Sequence, residues 1–185
     1  MYKVYQKIIL ACLLLVMTGM VYSQRVTQTI NDGWKFSLFE GDASTADFDI
    51  SGWTDVSIPH TWNAKDADDE IPGYFRGKGW YRKVVAVEEL IPEQRVYLSF
   101  EGANQETNVF VNGTFVGNHK GGYSAFTFDV TDYVHAGRNL IAVSVDNSHH
   151  PDIAPLSADF TFFGGIYRDV YLVYTSPVQL STTHY

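Results

Sequence analysis

The sequence has almost no cysteine, since Cys12 is the only one among 185 residues. A single thiol forms no intrachain disulfide, so the fold must be held by its hydrophobic core alone. Cys12 also lies in a segment that we expect to be removed, and we interpret it as an ordinary residue of that segment.

The N-terminal segment, residues 1–23, has the pattern of a secretory signal peptide. Lys3 and Lys7 precede a mostly apolar run that extends from Ile8 to Tyr22. Positive charge followed by a short apolar run is typical of such peptides, and this run is shorter than the ~20 residues that a membrane-spanning helix needs. We therefore predict export to the periplasm or the outside of the cell, leaving residues 24–185 as a single domain with one core.

Basic residues are also scarce. The chain has 13 lysines and arginines against 21 acidic residues, a net charge of −8. Removal of residues 1–23 would take away two lysines and no acid, leaving a net charge of −10. This balance argues against nucleic acid and against an anionic membrane surface as partners.

The common catalytic fingerprints are missing from the sequence. It has no Gly-x-Ser-x-Gly elbow, no phosphate-binding loop and no dinucleotide-binding fingerprint. No amphipathic segment of helical length follows residue 23. The sequence therefore gives no indication of a complete catalytic apparatus.

Short alternating segments are what the sequence has in quantity. In Arg95–Glu101 the apolar residues occupy every second position, which predicts a half-buried strand. The same pattern recurs in further segments: 34–39, 80–87, 107–111, 114–117, 125–129, 139–146 and 167–174. Many short strands separated by turn residues predict an all-β sandwich.

Two local signals refine this prediction. Asn112-Gly113 stands between two runs rich in β-branched residues, and both residues tolerate the positive φ that a two-residue hairpin turn requires. A short helical turn is predicted at Thr131–Val134.

Two polar clusters have plain interpretations. The acidic residues cluster beside Pro72 and Gly73, at Asp66, Asp68, Asp69 and Glu70, which favours a solvated loop over a catalytic pair. The run from His149 to Asp152 has no further ligand at metal spacing, so we interpret it as a polar loop. We predict no metal site in the chain.

Asp159 has an unusual setting, because Phe160, Phe162 and Phe163 follow it closely. A carboxylate among aromatic rings is either a desolvated charge that needs a partner or a charge held at a rim. Arg168 is one candidate partner. Alternatively, Arg168 pairs with another acid and Asp159 accepts hydrogen bonds from a ligand.

Several stretches resemble a known family. From about Asn31 to Pro177 the chain resembles the N-terminal sugar-binding domain of glycoside hydrolase family 2, especially of its β-galactosidases. The resemblance rests on six stretches in order: NDGWKF, VSIPHTWNAKD, YFRGKGWYRK, LSFEGANQETNVFVNGTFVGNHKGGYSAFTFDVT, NLIAVSVDN and DFTFFGGIYRDVYL.

The resemblance implies a jelly-roll β-sandwich with galactose-binding-domain-like topology. In the family this domain packs on an immunoglobulin-like domain and a (β/α)₈ barrel, and the barrel holds the two catalytic glutamates. We therefore assign no catalytic residue to this chain. A sodium, magnesium or calcium ion can accompany the sugar in such enzymes, but its ligands come largely from other domains, and we assign no cofactor here.

The resemblance also assigns a role to Asp159. The corresponding aspartate of the family hydrogen-bonds a hydroxyl of the non-reducing sugar, and Gly165-Ile166-Tyr167-Arg168 follows it here at the family spacing. Tyr74 and Asn147 are the further substrate-binding candidates, and Arg168 is expected to brace the strand.

These considerations leave three hypotheses. The first is the sugar-binding domain of an exported, β-galactosidase-like hydrolase, with a β-galactoside or related glycan as ligand. The second is a free-standing carbohydrate-binding module without hydrolase activity. The third is a purely structural sandwich that serves only in packing between domains.

Overall fold

The structure of the chain is a computed structural model that describes residues 25–66, 73–154, 156–157 and 160–176. The predicted signal peptide and Asp159 lie outside these ranges. None of the helical structure within the described ranges is long and apolar enough to cross a bilayer.

The described residues form ten strands and one short 3₁₀ helix. In chain order the elements are β1 (Arg25–Thr29), β2 (Trp34–Leu38), β3 (Thr54–Val56), β4 (Lys78–Val87), β5 (Arg95–Phe100), β6 (Glu106–Val111), β7 (Thr114–Lys120), β8 (Phe126–Asp129), the 3₁₀ helix (Thr131–Tyr133), β9 (Gly137–Asp146) and β10 (Val170–Thr175).

The strands make two sheets, which confirms the prediction of an all-β sandwich. One sheet has four strands in the order β1-β10-β5-β8, and the other has six in the order β3-β2-β4-β9-β6-β7. Neighbouring strands are antiparallel in both sheets.

The core lies between the sheets and follows the predicted alternation. On β5, Val96, Leu98 and Phe100 are fully buried, and they face residues of the six-stranded sheet such as Tyr81 and Val143. The segments with the clearest period of two are thus the strands that supply the core.

The hairpin and the helical turn are found where they were predicted. Asn112 and Gly113 have φ values of 51° and 82°, as the turn between β6 and β7 requires. The 3₁₀ helix Thr131–Tyr133 accounts for the predicted turn.

Strands β1 and β3 gave no usable signal in the sequence, and the predicted start of β10 was shifted. All five residues of β1 are exposed, and the three residues of β3 are exposed or half-buried, so neither strand shows alternation. Strand β10 begins at Val170, three residues after the predicted start. The residues before Val170 belong to the loop that carries the candidate site.

A second, smaller hydrophobic cluster lies outside the core. Trp80 and Ala142 point away from the four-stranded sheet and are covered by the loop of residues 39–53, to which Ala43 and Phe48 contribute. The outer face of the six-stranded sheet is therefore partly lined by this loop.

Candidate functional site

One end of the sandwich gathers the residues that the sequence analysis singled out. β4 begins there after residues 73–77, β9 ends there at Asp146, and residues 160–169 lead from there into β10. We call this end the rim.

Asn147 joins three segments of the rim. Its Oδ1 accepts a 2.8 Å hydrogen bond from the Gly77 amide, and its Nδ2 donates to the carbonyl oxygens of Phe162 at 2.9 Å and Phe75 at 3.3 Å. The side chain is fully buried, with 0% of its surface exposed. Asn147 thus meets its hydrogen-bonding needs within the protein and gives the rim its shape, which differs from the ligand contact that we predicted for it.

Asn63 is a second buried asparagine that the sequence analysis did not single out. Its Nδ2 donates to Asp66 Oδ2 at 2.6 Å and to the Phe75 carbonyl at 2.8 Å, while its Oδ1 accepts from the Gly164 amide at 2.6 Å. It also receives a 3.3 Å hydrogen bond from Asn147. Its place in the stretch VSIPHTWNAKD was the only available signal, and that signal does not reveal the role.

The glycine pair explains how residues 160–169 approach the body of the sandwich. A Cβ on Gly164 would stand 2.0 Å from Trp62 Cζ2, and one on Gly165 would stand 2.6 Å from the His60 carbonyl oxygen. Gly165 also has a φ of +118°, a backbone conformation that residues with a side chain rarely adopt. No larger residue allows this close approach at either position.

The half-buried His60 and the buried Tyr81 form a hydrogen-bonded pair behind Gly165. His60 Nδ1 lies 2.8 Å from the Tyr81 hydroxyl, and the His60 amide donates to the Ile166 carbonyl at 2.8 Å. Burial lowers the pKa of His60 and raises the pKa of Tyr81, so both groups are held in their neutral forms.

Tyr74 lies at the rim and is half-buried. Its hydroxyl accepts hydrogen bonds from the Arg76 guanidinium, whose Cζ is 5.0 Å from the centre of the Tyr74 ring and 4.6 Å from that of Phe162. Arg76 is thus held between two aromatic rings. Tyr74 remains a substrate-binding candidate with a partly accessible ring.

An apolar pocket of about 190 Å³ opens at the same end. Tyr123, Phe160 and Phe163 line it and are about half exposed, at 48%, 50% and 46%. Asn104 lines it as well, donates from Nδ2 to the Phe163 carbonyl at 2.9 Å, and has a buried Oδ1 without a hydrogen-bond partner. Exposed aromatic faces around a pocket are a feature that suits a sugar ring, although the Asn104 Oδ1 is buried against Gly122 and does not face the pocket opening.

Arg168 is exposed, with its Cζ 5.5 Å from the centre of the Tyr167 ring. Within the described ranges no carboxylate lies within 4 Å of its guanidinium, so the structure shows no partner acid for it. Asp169 instead ties the start of β10, because it accepts a 2.9 Å hydrogen bond from Asn31. Asp159, for which the ligand role was predicted, is outside the described residues.

The two polar clusters are only partly described. Asp66 accepts from Asn63 and from the Phe75 amide at 2.8 Å, whereas Asp68, Asp69 and Glu70 fall outside the described ranges. In the histidine loop, His150 Nε2 lies 3.6 Å from Glu106 Oε2. Across the part of the chain that is described, no three His, Cys, Asp or Glu side chains meet as metal ligands would.

Residues 27–177 match the family described as glycosyl hydrolases family 2, sugar binding domain. The chain is 37% identical over 176 residues to a β-glucuronidase of Bacteroides fragilis, covering 93% of this chain and 24% of that protein. It is 38% identical over 170 residues to a β-galactosidase of Thermoanaerobacter pseudethanolicus, covering 86% and 21%.

A solved structure agrees with these matches. The crystal structure of a Bacteroides uniformis β-glucuronidase superimposes with a TM-score of 0.75 at 46% identity, over 82% of this chain and 18% of that one. The chain therefore spans about a fifth of the length of the relatives it matches.

Proposed function

The chain belongs to glycosyl hydrolase family 2 as its N-terminal sugar-binding domain, and we propose that it recognises the non-reducing sugar of β-glycosides for a longer, exported hydrolase. The sugar is a β-galactoside or the related glucuronide, because both names occur among the relatives. In this proposal the chain's partners are the catalytic barrel and the immunoglobulin-like domain of that hydrolase. Residues 1–23 are its signal peptide. The proposal also includes a jelly-roll topology for the sandwich, similar to that of galactose-binding domains.

The main support for the proposal is that buried side chains hydrogen-bond the backbone of the segment after Asp159. Asn63 and Asn147 hydrogen-bond its backbone at Gly164 and Phe162, and both are at least 98% buried. A segment fixed in this way supports a preorganised binding residue, since little freedom remains to be lost when a ligand binds. Asp159 immediately precedes this segment in the chain.

A carboxylate suits the recognition of a sugar. A hydrogen bond to a charged group contributes about 1.5–3 kcal/mol, and a sugar that lacks the matching hydroxyl leaves the carboxylate unpaired. We therefore assign glycone recognition to Asp159 and a supporting contact to Tyr74. Asn147 positions the segment and does not touch the ligand.

A direct experiment separates the proposed role from a free-standing module. The isolated chain should release no product from nitrophenyl galactosides or glucuronides, and calorimetric titration with galactose should show no saturation at millimolar sugar or below. Saturable galactose binding by the isolated chain would favour the free-standing module, and turnover by the isolated chain would contradict both.

The second candidate is a carbohydrate-binding module, and the aromatic pocket at the rim favours it. Tyr123, Phe160 and Phe163 expose ring surface around this pocket. Saturable binding that is lost in Tyr123→Ala would support this candidate over the first.

A further inference from the structure

A second pocket, separate from the rim, lies on the outer face of the six-stranded sheet. It has a volume of about 410 Å³ and is lined by residues of β2, β4, β9 and the loop of residues 39–53. Leu140, which lines it, is near the start of β9, whereas the rim follows the end of that strand. We call it the basic pocket, after Lys35, Arg82 and Lys83 in its lining.

The basic pocket contains two cations placed directly opposite each other. Lys35 of β2 pairs in register with Arg82 of β4, and both side chains line the pocket. Like charges at directly opposed positions of antiparallel strands are destabilising. Asp55 already pairs with Lys35, so the demand for a further anion at this position comes mainly from Arg82.

Arg82 favours the binding of an anion because it is buried and no carboxylate of the described residues lies close to its guanidinium. Only 3% of its surface is exposed, its Nη1 donates to the Ala43 carbonyl at 2.7 Å, and its Nε has no hydrogen-bond partner. Within the described ranges no carboxylate lies within 4 Å of the guanidinium, although Asp47 attracts it from farther away. A buried guanidinium stays charged, and the Phe48 ring, whose centre is 5.8 Å from Cζ, and the more distant Asp47 compensate it only in part.

The two lysines complete the charged side of the basic pocket. Lys35 Nζ lies 2.7 Å from Asp55 Oδ1, and Lys83 Nζ donates to the Asp32 carbonyl. An ammonium group has three donors, so each lysine retains capacity for a ligand. The acid that pairs with Lys35 is exposed, and exposed ion pairs are weak enough to rearrange.

The other side of the basic pocket is apolar. Phe48, Ile50, Val84 and Leu140 line it, and Val84 is 46% exposed. The volume falls in the range of about 300–1,000 Å³ that is usual for small-molecule sites. A ligand that fits both sides carries a negative charge at one end and an apolar face beside it.

We propose that the basic pocket binds a small carboxylate that carries an apolar face, and that this ligand is a uronic acid residue of a glycan. The carboxylate lies against Arg82 and the two lysines, and the C–H face of the sugar ring packs on Phe48. The choice of a uronic acid among such carboxylates rests on the proposed function, whereas the anion site rests on the basic pocket alone. The pocket would hold an acidic glycan at a place distinct from the rim.

The test is a titration of the ¹⁵N-labelled full chain at low ionic strength with glucuronate, glucose and acetate. Glucuronate should shift the amide signals of Ala46, Lys83 and Leu140 saturably, glucose should not, and acetate should bind at least about fivefold more weakly because it lacks the ring. Lys35→Gln and Lys83→Gln should each weaken glucuronate binding by about three- to tenfold.

Lys120→Gln, on the opposite edge strand β7, is the matched control and should leave binding unchanged. The proposal is overturned if these amides do not respond to glucuronate, if glucose matches glucuronate, or if acetate binds as tightly as glucuronate. Because the ligand comparison uses the unmodified chain, it does not depend on the folding of any variant. A negative result here leaves the proposed function untouched, since that function is tested through Asp159 and not through the basic pocket.

Discussion

Asn147 Nδ2 donates a 2.9 Å hydrogen bond to the Phe162 carbonyl, which joins the end of β9 to the segment that leads into β10. The two residues are 15 positions apart in the chain, and both are buried. This contact fixes the backbone a few residues after Asp159, and the assignment of the rim as a sugar site depends on it.

The first prediction concerns this contact. Asn147→Ala leaves the buried Gly77 amide and Phe162 carbonyl without their partner, so we expect the free energy of unfolding in urea to fall by about 2–4 kcal/mol. Asn118→Ala, at an exposed position of β7, should change it by no more than about 0.5 kcal/mol. If the two variants were equally stable, Asn147 would not be holding the rim together.

The second prediction concerns the glycine pair. Gly165→Ala places a methyl group 2.6 Å from the His60 carbonyl oxygen at a φ of +118°, and we expect a loss of about 2–4 kcal/mol in the free energy of unfolding. Gly52→Ala is the control, because nothing lies within 4 Å of its added Cβ. A Gly165→Ala chain as stable as Gly52→Ala would mean that this segment does not need its close approach to the loop at His60.

The third prediction concerns pH. Burial lowers the pKa of His60 below its ordinary value of 6.5, so the folded state resists a proton that the unfolded state accepts. Stability is therefore fully present above about pH 6.5 and is lost as the pH falls through the folded pKa. Burial lowers the pKa of His119 as well, and this contribution has the same sign.

Urea unfolding between about pH 8 and pH 5 measures this slope. His60→Gln should give a shallower slope than the unmodified chain, whereas replacement of the exposed His135 by Gln should leave the slope as it was. An unchanged slope in His60→Gln would show that His60, in its pair with Tyr81, does not resist protonation.

Local patterns in the sequence were enough to predict most of the sandwich. Strand β5 alternates because every second residue enters the core, and the turn at Asn112-Gly113 needs positive φ at both positions. Strand β1 carried no such signal, since its residues are exposed and their pairing with β10 comes from a strand about 145 residues later in the chain.

The rim could not be predicted in the same way. Asn63 bonds to Asn147 and to Gly164 across 84 and 101 residues of sequence, and no local period records contacts of that range. A strand-end asparagine such as Asn147 looks the same in the sequence whether it faces a ligand or the interior. Only the fold shows that it faces the interior.

The most direct test of the account is kcat/KM of Asp159→Asn in the full-length enzyme, measured on nitrophenyl galactoside and glucuronide. Loss of one charged hydrogen bond to the glycone should lower kcat/KM by about 10- to 100-fold on the preferred substrate. The control Asp152→Asn, an exposed acid of the neighbouring loop, should keep its activity. Equal kcat/KM for Asp159→Asn and the unmodified enzyme would contradict the assignment of this carboxylate to sugar recognition.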